Sequence, residues 1–293
     1  MFNPGAAHWR GREVLLLRVQ TRARTTVLLP AERELDGSVR IRERAIEIEG
    51  LASVRPAPAH VSDPRLTVID DEIYAVMAWD FARGCRLLTA RSSDFERFEL
   101  VTLEDSDCRN GVLFPERIDG AFHRLQRPNR ARREEAPSTG DTITLARSED
   151  LSRWTDLGPV FSGRPQRWDE WIGSGPPPVK TRDGWLHLYH GVATHFAAAN
   201  IYQAGVVLLD LENPLRVVAR GAFNILEPRE LYELTGQVPN VVFPSGMIVE
   251  SFDDEGFARP DSAVRVYYGA ADTVVGLATT TVTELIEDAR FGP

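Results

Sequence analysis

The 293-residue chain has almost no cysteine: Cys85 and Cys108 are the whole supply. Two thiols without a C-x-x-C spacing make neither a disulfide framework nor a metal motif, and they are read as reduced. No apolar run is long enough to cross a membrane as a helix. The N-terminus lacks the basic-then-apolar pattern of a secretory signal, so a cytoplasmic location is expected. Positive charge is scarce: 34 Lys+Arg face 43 Asp+Glu, a formal net charge of −9. A nucleic-acid binder would carry a basic face, so nucleic acid and membrane are not expected as partners. The one basic run, Arg124 to Arg133, reads as a solvated loop or a subunit contact, with Arg127 set apart below. Helical periodicity is nearly missing; only Thr281–Ala289 carries it, as a short C-terminal cap. No Pro/Gly/Ser-rich linker interrupts the chain, so residues 1–293 are expected to form one domain.

What is present is strand. Ala90 to Leu100 reads ARSSDFERFEL, and Ala146 to Leu157 reads ARSEDLSRWTDL, about 56 residues later. Each copy follows a β-hairpin pattern, in which two β-rich runs flank an Asp or Gly turn. Leu66–Ile69 with Ile73–Trp79, Val112–Ile118 with Ala121–Leu125, and Pro178–Lys180 with Trp185–Tyr189 are such pairs. Val241–Val249 with Val264–Tyr268, and Glu13–Val19 with Thr25–Leu29, complete five. Most are followed by a further strand: Leu87–Ala90, Thr142–Ala146, Gly205–Leu209 and Val275–Ala278. Strand-rich units repeating at this spacing are the blades of a propeller. The expected fold is all-β, a five-bladed β-propeller of four-stranded blades with a short C-terminal helix.

Such a fold serves scaffolds and enzymes alike, so polar clusters must decide function. Asp63-Pro64-Arg65 precedes a buried-looking strand, and proline should hold an extended approach to it. This is either a turn with a local ion pair or a carboxylate fixed at a strand end, where a general acid belongs. Arg109-Asn110-Gly111 and Arg127-Pro128 end neighbouring strands of one hairpin. Two planar forks of donors there suggest an oxyanion site; the simpler alternative is a salt bridge to Glu116 or Asp119. Ile172-Gly-Ser-Gly-Pro-Pro-Pro178 reads as a loop, and no Gly-Lys-Ser/Thr helix start follows to make it a phosphate loop. His187 and His190 fall on opposite faces of a strand, which argues against a shared metal. In Tyr267-Tyr268-Gly-Ala-Ala-Asp272, an acid among small residues could hold sugar hydroxyls or cap a turn.

In this order the clusters resemble glycoside hydrolase family 130, the five-bladed propellers that include β-mannoside phosphorylases and related β-mannosidases. The likeness runs from Phe2-Asn3-Pro4 and Leu17-Arg18 through Asp63-Pro64-Arg65, Arg109-Asn110-Gly111 and Leu125-Gln126-Arg127-Pro128. It continues through Gly173 to Pro177, Trp185 to Gly191, Gly236 to Pro244 and Tyr267 to Leu277. The resemblance implies inverting phosphorolysis of a β-D-mannoside to α-D-mannose 1-phosphate. Asp63 would be the general acid, relaying its proton through the mannose 3-hydroxyl. Asn3, Arg18, Arg65, Asn110 and Asp272 would lie on the substrate side. Arg109, Arg127, His190 and Tyr202 would hold phosphate, here a co-substrate; no metal or organic cofactor is implied. A β-mannoside oligosaccharide would be the other partner, and self-association is plausible within such a family.

The chain departs from the family in one place. Many of these phosphorylases carry a lysine before the I-G-A-G segment, where this chain has Trp171, a ring suited to stacking on a sugar face. The segment Asn129–Gly140 also stands in for a loop that often shapes acceptor subsites. Two rivals follow. A β-mannosidase would need a carboxylate base near the arginines, for which Glu116, Asp169 and Glu170 are candidates. A non-catalytic sugar-binding propeller would keep the fold without the acid.

Overall fold

A computed structural model describes residues 1–54, 60–81, 84–129, 131–133, 136–194 and 199–291, with backbone alone for 131–133 and 136–139. Five sheets follow one another along the chain and stand as the blades of a propeller. Blade 1 runs Phe2–Trp9, Arg12–Gln20, Thr26–Arg33 and Val39–Ile41 from the axis outward. Blade 2 comprises His60–Ile69, Glu72–Asp80, Cys85–Ser92 and Arg97–Leu103, with Glu47–Glu49 added in parallel at its edge. Blade 3 comprises Cys108–Leu113, Phe122–Pro128, Thr142–Ser148 and Thr155–Ser162. In blade 4, both Trp171–Ser174 and Val179–Thr181 pair with Gly184–Ala193, followed by Ile201–Leu209 and Val217–Arg220. Blade 5 has three strands, Val242–Val249, Ala263–Ala270 and Val274–Thr281, rather than the expected four.

The strands read as nearly continuous apolar runs because each blade is covered on both faces. Neighbouring blades share a core: Trp9, Leu16, Leu66, Trp79 and Phe98 between blades 1 and 2, and Tyr74, Leu87, Leu113 and Phe122 between blades 2 and 3. Phe114, Trp185 and Tyr189 lie between blades 3 and 4. Leu186, Val206, Val264 and Val266 lie between blades 4 and 5, and Leu15, Leu17 and Ile248 between blades 5 and 1. The helix Val282–Arg290 buries Val282, Leu285, Ile286 and Ala289, the i, i+3, i+4, i+7 stripe of an amphipathic helix, over the blade 4–5 core. Thr281 and Glu284 cap its start reciprocally.

The repeated S-x-D motif is a turn device. Ser92 Oγ accepts the Phe95 amide at 2.9 Å, and Asp94 Oδ1 accepts those of Glu96 and Arg97 at 2.8 and 2.9 Å. Asp150 Oδ1 does the same for Ser152 and Arg153, at 3.0 Å each. Phe95 and Leu151, at φ of 62° and 63°, are thereby turned into the core between the third and fourth strands. Asp210 builds a related turn in blade 4 without the serine.

Three expectations are corrected. The Gly-Ser-Gly segment is partly strand, because Trp171–Ser174 is the innermost strand of blade 4. Arg124 is not solvated; it is fully buried, donates to Glu104 at 2.9 Å and packs on Trp154. Asp63 does not approach its proline in extended form: its φ is 55°, at a bulge between Ser62 and Arg65. Arg130 and the side chains of Arg132 and Arg133 lie outside the described residues, as does part of the Asn129–Gly140 segment.

Candidate active site

The first residues of the inner strands and the last residues of the second strands meet at one end of the propeller axis. There they line a cavity of about 440 Å³. Blade 1 contributes Asn3 and Arg18, blade 2 Asp63 and Asp80, and blade 3 Arg109, Asn110 and Arg127. Blade 4 contributes Trp171, His190 and Tyr202, and blade 5 Phe243 and Asp272. Three inner strands expose a polar residue by the same device. Asn3, Asp63 and Asn110 have φ of 48°, 55° and 54°, each where the pairing register slips. Asn and Asp tolerate this left-handed region better than most residues, and the bulge turns each side chain toward the axis. Asp272, φ 48°, follows the second strand of blade 5 in the same conformation.

Asp63 sits in a cluster of donors. Its Oδ1 accepts from Asn3 Nδ2 at 2.8 Å and from Arg18 Nη1 at 2.9 Å. Burial pushes its carboxyl up, but Arg18, Arg65, Asn3 and Arg109 outweigh this and hold it below the usual range. Asp272 shows the opposite balance. Burial and the neighbouring Asp63 charge push it up to about 6, against the pull of Arg18 and Asn3.

Across the cavity, Arg109 and Arg127 are register partners on neighbouring strands. Arg109 pairs with Asp80, not with Glu116 or Asp119, and Ser62 Oγ donates to the other Asp80 oxygen at 3.3 Å. Arg127 is 7% exposed and has no carboxylate partner among the described residues. It donates weakly to the Ile172 carbonyl at 3.4 Å and to Asn129 Oδ1 at 3.3 Å, and its Nε has no partner among the described residues. Burial and the Arg109 charge lower Arg127 to about 10. His190, stacked near Tyr202 and packed on Phe243, is held well below its ordinary range by burial and by Arg127 and Arg65. It therefore faces the cavity as a neutral imidazole. Gly173 is required beneath it: a Cβ there would meet His190 Cε1 at 2.5 Å and Asn110 Oδ1 at 2.6 Å.

Of the residues named from sequence, Asn3, Arg18, Asp63, Arg109, Asn110, Arg127, Trp171, His190, Tyr202 and Asp272 all line this cavity. Arg65 does not. It is fully buried behind the wall, donating to the Gly175 carbonyl at 2.6 Å and the Asp63 carbonyl at 3.1 Å, with its plane over Phe243. The slipped register between Ser62 and Arg65 breaks the alternation that would have put Asp63 and Arg65 on one face. His187 is buried apart from the cavity. The sequence reading missed Ser62, Asp80, Thr194, Asn200, Val238 and Phe243 in the lining. Asp80 gave a faint signal, an acid closing an apolar strand, but the same pattern marks countless ordinary turns.

Comparison with known proteins agrees with this geometry. Residues 1–289 match the family model described as beta-1,4-mannooligosaccharide phosphorylase. A 1,2-beta-oligomannan phosphorylase of Thermoanaerobacter sp. strain X514 is 35% identical over 252 residues, 83% of this chain and 72% of the relative. A beta-1,4-mannooligosaccharide phosphorylase of Ruminococcus albus is 32% identical over 234 residues, 77% of this chain and 64% of the relative. The solved structure of a beta-1,2-mannobiose phosphorylase from Listeria innocua, complexed with beta-1,2-mannobiose, has the same fold at a TM-score of 0.79. It is 24% identical, and the match covers 98% of this chain and 91% of that one. The whole-length match and the shared propeller carry the same conclusion: the chain belongs to glycoside hydrolase family 130.

Proposed function

We propose that this propeller is an inverting β-mannoside phosphorylase acting as one catalytic unit, with inorganic phosphate as co-substrate. The observation that carries the proposal is the cavity itself. It holds a donor-bound carboxylate, Asp63, together with a guanidinium pair whose buried member, Arg127, has no carboxylate of its own among the described residues. A buried unpaired cation is costly, and an oxyanion ligand is the group that offsets it. The names of the relatives, phosphorylases of β-1,2- and β-1,4-linked mannosides, support the substrate class.

In this reading Asn3, Arg18 and Asp272 grip the mannose, and Trp171 offers a face to a sugar ring. Phosphate, held by Arg109, Arg127, His190 and Tyr202 beside Asn110, attacks the anomeric carbon from the side opposite the leaving sugar. The C1–O bond to the leaving sugar breaks as the new C1–O bond to phosphate forms. The Asp63 proton passes through the mannose 3-hydroxyl to the departing oxygen. Asp63 is held low in the free site, so it must gain its proton on binding. Phosphate seated on Arg109 cancels one of the charges that hold the carboxyl down, and sugar strips it of water. Substrate and proton uptake are thereby coupled.

Hydrolysis fits less well. Glu116 is paired with Lys180 at 2.7 Å. Asp169 is wholly buried against Arg164, Arg220 and Tyr189, and Glu170 is bonded to Thr194. None of the three lines the cavity. The test is product analysis on β-1,2- and β-1,4-mannobiose with and without phosphate. Sugar phosphate formed only when phosphate is supplied is the expected result; free mannose released equally without it overturns the proposal. Asp63→Asn should lower turnover by at least about 10²-fold, the lower range for a positioned general acid.

A further inference from the structure

We propose that Asp80 is the residue that selects the protonated oxyanion, accepting a hydrogen bond from a P–OH group, so that the pocket takes phosphate in a protonated form, the singly charged dihydrogen phosphate best of all, and rejects sulfate. The inference rests on the phosphorylase reading and deepens it. Asp80 ends the second strand of blade 2, lines the cavity and pairs with Arg109. Ser62 Oγ donates to its second oxygen over a long 3.3 Å, and the Cys85 thiol lies against it. An ionised carboxylate accepts up to about four hydrogen bonds and donates none. Arg109, one long hydroxyl contact and the weak Cys85 thiol donor still leave it with unused acceptor capacity in a cavity built for an anion.

Charge points the same way. On the phosphate side of the cavity Arg109 and Arg127 bring two positive charges and Asp80 removes one; Arg18, Asp63 and Asp272 line the sugar side. Trp171, the lining residue of blade 4's inner strand, adds none. A pocket of this balance is matched to a singly charged oxyanion. An anion with a hydroxyl can turn that hydroxyl toward Asp80. Sulfate at neutral pH has no proton to give, so one of its oxygens meets the carboxylate with neither hydrogen bond nor attraction. Specificity then arises from a repulsive element placed against the wrong ligand. A hydrogen bond to a charged group is worth roughly 10- to 100-fold in affinity.

The test is calorimetric binding of inorganic phosphate and of sulfate to the full chain near neutral pH, for the wild type and Asp80→Asn. The wild type should prefer phosphate by at least about 10-fold. In Asp80→Asn, whose amide can donate, sulfate should tighten and the preference should vanish. Equal binding of the two anions by the wild type overturns the proposal. So does a parallel loss of both in Asp80→Asn, which would mean that Asp80 only positions Arg109. Monofluorophosphate, which has the phosphate shape but no P–OH at neutral pH, gives an arm that needs no variant: it should bind the wild type as poorly as sulfate, and binding as tight as phosphate overturns the idea. Mannoside cleavage that ignores phosphate, with neither anion bound, removes the phosphorylase reading itself. Phosphate dependence without anion discrimination removes only the role of Asp80.

Discussion

Asp63 and Asp272 share Asn3 and Arg18 as neighbours, yet the two carboxyls are driven in opposite directions. At Asp63 the hydrogen bonds from Asn3 and Arg18 win and stabilise the anion; at Asp272 burial and a like charge outweigh the pull of the same two residues. The difference has a consequence for stability. An unfolded aspartate titrates near about 3.9, while Asp272 in the folded protein titrates at about 6. Below the lower value it is neutral in both states and carries no penalty. As pH rises through the higher value the folded protein must hold a buried charge, and stability falls. Asp272→Asn is therefore expected to be more stable than the wild type at pH 8, by about 3 kcal/mol, with the gap closing toward pH 4. Urea midpoints across this window measure it. A gap that widens toward acid would reverse the assignment. The same variant should bind mannoside poorly, since the site keeps the charge for its ligand and not for the fold.

The elements that build the site are bulged strands. Asn3 lies so close over blade 5 that a Cβ on Gly269 would sit 1.6 Å from its Oδ1 and 3.0 Å from its backbone nitrogen. Gly269→Ala must displace Asn3 and strip Asp63 of one donor. Turnover is expected to fall by about 10²-fold, as for a misplacement of about 1 Å, while circular dichroism stays that of the folded propeller. Undiminished turnover would show that Asn3 does not position the acid. The sequence announced the strands clearly, because nearly continuous apolar runs bounded by Asp and Gly turns leave little choice, as at Asp70-Asp71 and Asp119-Gly120. Most of the cavity came through the family resemblance that the Asn-Pro, Asp-Pro and Arg-Asn-Gly clusters carry; the residues by themselves pointed only to Asp63, Arg109, Arg127 and Asp272. The bulges were illegible. Nothing in Ser62-Asp63-Pro64-Arg65 says that the register slips there, so Arg65 was assigned to the ligand when it belongs behind the wall. The inner strand Trp171–Ser174 was hidden for a related reason: Gly173 is needed to admit His190, and glycine reads as loop.

The whole molecule is a ring joined by side chains. All four strands of blade 1 come from residues 2–41, and all three of blade 5 from 242–281, so no strand is exchanged across the seam. Glu13 of blade 1 is 8% exposed and accepts from Arg265 Nη2 at 2.8 Å and from the Tyr267 hydroxyl, both of blade 5. Leu15, Leu17 and Ile248 pack beside this contact. Glu13→Ala leaves the buried Tyr267 hydroxyl without its acceptor and Arg265 with Glu250 as its remaining carboxylate, and it should lower unfolding free energy by about 2 kcal/mol. Removing the exposed Arg182–Glu255 pair should change it by less than about 1 kcal/mol. Guanidinium titrations of both variants make the comparison; equal effects would mean that the seam is not a weak point of the ring.

The seam also bears on biosynthesis. Asn3 leaves the ribosome well ahead of Gly269 and Asp272, against which it is finally set. Until those later residues arrive, Asp63 and the arginines beside it have no completed bowl around them. If the cavity is the phosphorylase site proposed above, a product released before position 272 would be inert rather than partly active, and the cell would be spared a half-built catalyst.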